Sequence, residues 1–497
     1  MTDVRADGQP LGAPSTDETT EVPETETVET TETSRPASRR RRDLGVLALV
    51  AVVLLCGLTL IFGFLNKDRC AGPVYNSLGQ TENFLKRAYR DVCYSDIQYL
   101  WVGRDIDQHV FPYVDGGITK QGRLTGGSVE YPVLTGVLMW LGAYFAHNDH
   151  EFLIYSALLL APFALFAAWA LGRLARWRAL IWALGPPLVL YAFHNWDLAA
   201  VACAVGAVYV LHRGWGRAGR DRPLIQRATF ASVLLGLGFA FKLYPAIFVV
   251  PLMFYVLTGG LRGHELPAGK RWDVAGMIRV GLAAIVAASA ANLPFMLIGF
   301  RGWQASFTFQ ELRQVDITTN SIWFWAFRPE SDPSDVTFQH LVSVLSPLTI
   351  LISFALACLI GWWRFRREGT YPWMAVSAAM LCGFLLFHKV HSPQYTLWLV
   401  PMFVLMRVRW TWLVAYGIAD VALGIGIFRY LYALQFRHVS GIYAGFAEQA
   451  TAIGIWGQAA LLVCLFFVFS TSKSIVDELD ERADLSRPPR IGEPVPA

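Results

Sequence analysis

Residues 39–65 read RRRRDLGVLALVAVVLLCGLTLIFGFL. From Leu44 to Leu65 no charge interrupts the run. As a helix it would be about 33 Å long, enough to cross a hydrocarbon layer about 30 Å thick. It is too long, and too far from the N-terminus, for a cleaved signal peptide. Four arginines directly before it place the N-terminus in the cytoplasm, because positive charge is retained on that side. Residues 1–43 alternate Thr and Glu through Thr19-Thr20-Glu21-Val22-Pro23-Glu24-Thr25-Glu26 and carry few apolar groups. Such a tail cannot bury enough surface to offset its ordering entropy, so it is expected to be disordered.

The rest of the chain repeats the theme of that run. Of 497 residues, 54% are hydrophobic and 16% charged, with mean hydropathy +0.40; a soluble globular protein carries roughly 25% charged residues. Further apolar runs lie near 131–147, 152–172, 179–194, 197–212, 228–241, 243–258, 274–299, 341–362, 371–387, 394–406, 410–428 and 449–470. The expectation is therefore an all-α polytopic membrane protein of about 12–13 spans, with its membrane domain over 44–470 and a polar cytoplasmic end over 471–497. Basic clusters fall between alternate runs: Arg173/Arg176/Arg178, Arg213/Arg217/Arg220/Arg222, Arg262/Lys270/Arg271, Arg364/Arg366/Arg367 and Arg407/Arg409. If these are cytoplasmic, 66–130, Asn195–Asp197, Lys242–Pro245, 300–340, His388–Gln394 and Phe428–Gln449 face outward. One parity conflict follows. With 66–130 outside and Arg173 inside, 131–147 and 152–172 cannot both cross completely, and an incomplete crossing is the expected resolution.

The outer segment 66–130 is too long for an ordinary connection and is not low-complexity. It holds Tyr94-Ser95-Asp96-Ile97-Gln98-Tyr99-Leu100-Trp101, His109-Val110-Phe111-Pro112-Tyr113 and Glu130-Tyr131-Pro132. Its mixture of aromatics and acids suits juxtamembrane helices lying in the interface. Cys70 and Cys93 also lie here. An extracytoplasmic location would be oxidising, and a disulfide between them is expected. The other five cysteines sit in apolar runs as small hydrophobes. The net charge of +4 gives no reason to expect a nucleic-acid partner. No P-loop, HExxH, or GxGxxG in context appears, and no cytoplasmic loop is long enough for a nucleotide-sugar domain.

The order of these features is that of a known family. An N-terminal span, an early Asp96 before an aromatic helix, the Phe111-Pro112-Tyr113 turn, Tyr131-Pro132 opening the next span, and Lys242-Leu243-Tyr244-Pro245 after the Gly-rich Leu235–Ala240 together resemble the GT-C superfamily of membrane glycosyltransferases. The pattern is most similar to the polyprenol-phosphate-mannose-dependent α-1,2-mannosyltransferases, including the enzyme that extends phosphatidylinositol mannosides. Asn320-Ser321 and His391-Ser392-Pro393-Gln394-Tyr395 resemble later loops of that family. Where many relatives have Gly-Gln-Asn, this chain reads His194-Asn195-Trp196-Asp197, which leaves sugar and acceptor open.

The resemblance implies transfer of a sugar, with mannose first in line, from a polyprenyl-phosphate donor to an envelope glycolipid or polysaccharide, with inversion, at the outer face of the plasma membrane. Asp96 is then the general base, with Asp105, Asp107, Asp115 and Glu130 as competitors from the same loop. Lys242, His388, Lys389, His391, Tyr131, Asp197 and Asn320 are the candidates for donor phosphate or substrate. Arg301, Arg313, Arg429 and Arg437 are outer-face cations suited to anionic head groups or to loop salt bridges. Trp303, Trp323 and Trp325 are belt residues or sugar-stacking platforms. No ligand cluster suggests a metal, so no metal or other cofactor is expected beyond the lipid-linked co-substrate. Two other classes stand against the enzyme. A flippase for a lipid-linked saccharide would show repeats and midplane polar groups, and a scaffold would dock an envelope-synthesis protein through the acidic tail.

Overall fold

Every apolar run is helical in the computed structural model, which describes residues 35–215, 219, 221–327 and 334–485. The tail 1–34, with the disorder and the protein partner expected of it, lies outside the described residues, as do 486–497. The chain divides into two units, 1–46 and 47–497. In the first, residues 35–46 are the opening turns of α1 (Arg35–Asp68), so the helix starts ahead of the four arginines.

The second unit holds the rest. After α1 the outer segment forms α2 (Phe84–Asp91), α3 (Asp96–Gly103) and a ribbon of β1 (Gly117–Ile118) with β2 (Leu124–Thr125), antiparallel with Gly117 opposite Thr125. Then come α4 (Val133–Ala143), α5 (Asp149–Ala175), α6 (Leu180–Ala183), α7 (Pro186–Tyr191), α8 (Asp197–Arg213), α9 (Leu224–Phe241), α10 (Val249–Leu257), α11 (Val274–Ile298) and α12 (Phe300–Leu312). The chain closes with α13 (Ile322–Ala326), α14 (Val336–Glu368), α15 (Trp373–Phe387), α16 (Thr396–Leu405), α17 (Trp410–Phe436), α18 (Ala447–Thr471) and α19 (Ile475–Leu485).

The number of spans is where expectation and structure part. Among the described residues eight helices are long and apolar enough to cross a membrane, against the 12–13 expected. The other runs make short helices in the interior: α8 and α15 are mostly buried and α16 entirely so. An apolar run packed all round by protein need not match the bilayer thickness, whereas α11 and α14 face outward along most of their length. Gly185-Pro186-Pro187 divides 179–194 into α6 and α7, since proline cannot continue a helix and suits the start of the next.

The parity conflict resolves as an incomplete crossing at α4. The helix has 11 residues, about 16 Å, and its far end returns to the outer segment. The Ala146 carbonyl lies 2.9 Å from His109 Nε2, and Asp149 at the head of α5 donates its N–H to the Gly79 carbonyl. Asp149 then accepts from Thr81 N, Thr81 Oγ1 and Gln80 Nε2.

The basic clusters gather at the opposite end. Arg178 donates to the carbonyls of Phe403, Val404 and Met406 at the end of α16, Arg213 to that of Arg173, and Arg364 to those of Ser470 and Ser472. By the positive-inside rule this is the end expected to face the cytoplasm. The segment after Thr471, expected as a polar tail, instead forms α19 and packs here: Asp480 meets His212 at 2.7 Å, and Glu478 meets Arg407 at 2.8 Å.

Candidate active site

At the outer end of the bundle, where α7, α9 and α15 end and α8 and α16 begin, the interior is hollow. A cavity of about 500 Å³ opens there, bounded by the outer segment, the start of α8, the end of α9, and the turns after α12 and α15.

Asp96 is the first residue of α3. Its position is set by the backbone: Asp96 N–H donates to the His194 carbonyl at 2.8 Å, and Ser95 Oγ to the Phe193 carbonyl at 2.7 Å. Cys70–Cys93 is a disulfide, tying the end of α1 to the residue before Tyr94. Lys67, buried in the last turn of α1, donates to the Tyr94 carbonyl at 2.7 Å. Three elements thus converge on one short turn.

The Asp96 carboxylate opens on the cavity and is held on both oxygens. Oδ1 accepts from Tyr94 OH at 2.8 Å; Oδ2 accepts from Asn195 Nδ2 at 2.7 Å and, more loosely, from Tyr131 OH at 3.5 Å. Burial raises the Asp96 pKa above the ordinary carboxylate value, opposed by the Tyr94 and Asn195 hydrogen bonds. Asn195 is the hub of the arrangement. Its Nδ2 also donates to Tyr131 OH at 2.8 Å, and its Oδ1 accepts from Lys242 Nζ at 3.1 Å. The Trp196 N–H donates to the same oxygen at 2.6 Å; neither it nor Lys242 can donate to an amide N–H, so together they fix the amide with its donors toward Asp96.

Beneath lies Asp197, fully buried, with Oδ1 accepting from Trp398 Nε1 at 2.8 Å and sitting 3.6 Å from Lys242 Nζ. Lys242 also stands 4.4 Å over the Tyr131 ring, a favourable cation–π position. Tyr131 is aimed by the Phe111-Pro112-Tyr113 turn. Tyr113 OH donates to the Tyr131 carbonyl at 2.9 Å and lies 3.1 Å from that of Pro132. A Cβ on Gly302 would stand 2.2 Å from the Tyr113 carbonyl oxygen, so that turn needs glycine on α12 to seat it.

Asp96, Lys242, Tyr131, His388, Lys389 and Asn320 all line the cavity. His391 does not; it is buried behind the wall, its Nε2 3.0 Å from Gln458 Oε1 and its Nδ1 2.9 Å from the Leu385 carbonyl. Asp197 underlies the floor. His388 is driven down to about 4 by burial, so it is neutral near pH 7 and supplies no charge. Of the four competing carboxylates only Glu130 reaches the cavity, and Arg104 grips it through two hydrogen bonds of 2.7 and 3.1 Å. Asp105 is turned to the Gly126 N–H at 2.7 Å. The loop tryptophans do not line the cavity either: Trp303 donates to Asn292 Oδ1 and Trp323 to the Phe387 carbonyl. Tyr94, Tyr395, Trp398 and Phe428 form its aromatic walls instead. Among the described residues no three His, Cys, Asp or Glu side chains converge as a metal site.

The sequence reading missed Asn195 and Tyr94 as functional residues. The signal for Asn195 was present: it sits in a polar break between two apolar runs. Tyr94 carries no such mark, because only the fold shows which oxygen its hydroxyl meets.

Among solved structures the chain is similar to the archaeal oligosaccharyltransferase AglB from Archaeoglobus fulgidus in complex with an inhibitory peptide and a dolichol-phosphate. The two are 12% identical, with a TM-score of 0.39, over 87% of this chain and 56% of that one. The chain thus spans little more than half of that structure's length, and a likeness at this score carries no weight for fold or activity. A family model described as Mannosyltransferase (PIG-M) matches residues 217–471, more than half of the 497. The description names a mannosyltransferase, as the motifs implied, though not the α-1,2 group they most resemble. On that match, the chain belongs to the mannosyltransferase (PIG-M) family.

Proposed function

We propose that this chain is a lipid-linked-sugar glycosyltransferase. It moves a mannosyl group from a polyprenyl-phosphate donor to a hydroxyl of an envelope glycolipid or polysaccharide, at the outer face of the plasma membrane. The observation that carries this reading is the outward cavity with one carboxylate, Asp96, held on both oxygens yet open to a ligand. Membership of a mannosyltransferase family supports the sugar, and the Tyr131-Pro132 and Lys242-x-x-Pro245 motifs support an α-1,2 linkage of the kind made in phosphatidylinositol mannoside extension.

The step is a single displacement. The acceptor oxygen forms a bond to the anomeric carbon as its proton passes to Asp96. The bond from that carbon to the phosphate oxygen breaks, and the electron pair leaves with the lipid phosphate. The configuration inverts because attack and departure are on opposite faces. A carboxylate raised above its ordinary pKa by burial is the better base, provided it remains ionised at working pH. Tyr94 and Asn195 hold it in that state.

The other end of the bundle favours an enzyme over a flippase. There Arg178 closes the interior helix α16 on its last carbonyls. The test is a lipid and glycan profile of a deletion strain complemented with wild type or with Asp96→Asn. One mannosylated species is expected to disappear and to return with wild type alone. Its return with Asp96→Asn at equal protein level would remove Asp96 from the base role. An unchanged profile in the deletion strain would remove the glycosyltransferase reading.

A further inference from the structure

Four cationic side chains line the cavity: Arg104, Lys242, Arg313 and Lys389. Two are answered by carboxylates. Arg104 holds Glu130 and lies 5.6 Å over the Phe309 ring. Lys242 has Asp197 at 3.6 Å and Asn195 Oδ1 at 3.1 Å. Lys389 gives one hydrogen bond, to the Glu311 carbonyl at 3.0 Å. Arg313, part-buried in the turn after α12, has no hydrogen bond or ion pair among the described residues. Charge summed over the cavity therefore leaves Asp96 as the unbalanced negative group and Arg313 with Lys389 as the unbalanced positive pair.

That pair repels itself. Lys389 is held below its ordinary pKa by burial first and by Arg313 second, with the Glu311 carboxylate opposing. Tyr395 feels both Arg313 and Asp96, so the positive pair and the base address one cavity. Two like charges among neutral polar and aromatic side chains describe a place for an anion.

We propose that Arg313, with Lys389 beside it, seats the phosphate of the lipid-linked donor, and that Lys242 is a positioning residue and not a phosphate ligand. This rests on the glycosyltransferase reading above. The donor phosphodiester carries one negative charge. When the anomeric C–O bond breaks, the electron pair stays on the phosphate oxygen and the group becomes a monoester with further negative charge. A planar guanidinium with free donors matches two phosphate oxygens at once. Its attraction grows as the bond breaks, which is the condition for lowering a barrier and not merely binding substrate. Lys242 is already engaged below the floor and would have to leave Asp197 unpaired to serve the phosphate.

The test uses the purified full-length chain in lipid micelles and a polyprenyl monophosphate, the product-side lipid, as probe. Arg313→Gln is expected to weaken binding of the monophosphate about 10- to 100-fold and to slow mannosyl transfer with it. Arg313→Lys should recover part of both. Lys242→Gln should leave monophosphate binding within about 3-fold of wild type, which is under 1 kcal/mol, while slowing transfer through Asp96. Arg313→Met serves as a second variant if the glutamine form melts early. Monophosphate binding unchanged in a folded Arg313 variant, or weakened equally by Lys242→Gln, overturns the assignment and leaves the glycosyltransferase reading standing. Wild type that transfers mannose but ignores the monophosphate also overturns it. Wild type that does neither sinks the parent reading as well.

Discussion

The two ends of this helical bundle treat charge in opposite ways. At the cytoplasmic end cations close helices. Arg178 takes three carbonyls at the end of α16, Arg364 takes Ser470 and Ser472 at the end of α18 as well as Glu368, and Arg407 pins α19 through Glu478. These last-turn carbonyls have no partner within their own helix, and a cation there both satisfies them and meets the negative end of the helix dipole. At the outer end the interior helices stop early and leave a cavity, with Asp96 open to it and Arg313 unanswered. Charge that is fully answered within the chain holds the fold together, and charge left over is available to a ligand.

The widest separation between the two ends should come from a crossed pair of variants. Asp96→Asn is nearly isosteric and retains an oxygen for Tyr94 but turns an N–H toward the Asn195 donor, so it should cost about 1 kcal/mol, well below the Arg178 variant. Mannosyl transfer should fall about 10²- to 10⁴-fold, the usual contribution of a positioned base. Arg178→Ala should do the reverse. It strands the last carbonyls of α16 and costs about 3 kcal/mol, while transfer per folded molecule stays near wild type. If Arg178→Ala lost transfer without losing stability, the closed end would be part of the machinery and the division between ends would fail.

How much of this was legible beforehand follows the same division. Helix existence was readable because apolar runs announce themselves: all thirteen are helical. Span length was not, because hydropathy does not distinguish lipid from protein as the apolar partner. α16 is the more apolar of α16 and α14, yet α16 is wholly buried and α14 largely outward-facing. Arginine parity pointed to an incomplete crossing at 131–147 or 152–172, without saying which; the short α4 supplies it. Within the site, Asp96, Tyr131 and Asn320 came from the family resemblance and Lys242, His388 and Lys389 also as polar groups at outer ends of runs, and all six line one cavity. His391 looked the same in sequence and lies behind the wall, since a neighbour three residues on in a turn points elsewhere. The Asn195 hub needs side-chain direction across three elements far apart in the chain, which no local pattern encodes.

Lys242 sits between the two kinds of charge, answered by the chain yet beside the base, and it sharpens the comparison. Lys242→Met leaves Asp197 buried without its cation, at a cost of about 3–5 kcal/mol, and removes one of the two donors on Asn195 Oδ1, the other being the Trp196 N–H. Both stability and transfer should fall. Adding Asp197→Asn removes the stranded charge, and the denaturant midpoint should recover most of the loss. Transfer should recover only in part, because Asn195 Oδ1 then keeps the Trp196 N–H but not the Lys242 ammonium. Full recovery of both would mean that Lys242 serves only to neutralise Asp197.

The smallest effect is a displacement along the pH axis. Asp96 acts as base only when ionised, and burial raises its pKa above the ordinary carboxylate value. Transfer should therefore be lost as pH falls through that raised value, at higher pH than an exposed aspartate would give. Tyr94 OH, 2.8 Å from Oδ1, favours the ionised form. Tyr94→Phe removes that donor while leaving Asn195, Tyr131 and Lys242 in place, so the pKa must rise further and the acid limb must move toward higher pH. One hydrogen bond to a carboxylate is worth about 1 kcal/mol or somewhat more, which is about 0.7–1 pH unit. The rate on the alkaline plateau should change little, since the ionised base is still present. A limb that moved toward lower pH, or stayed fixed while the plateau fell, would mean that Tyr94 touches the substrate and that the acid limb belongs to some group other than Asp96.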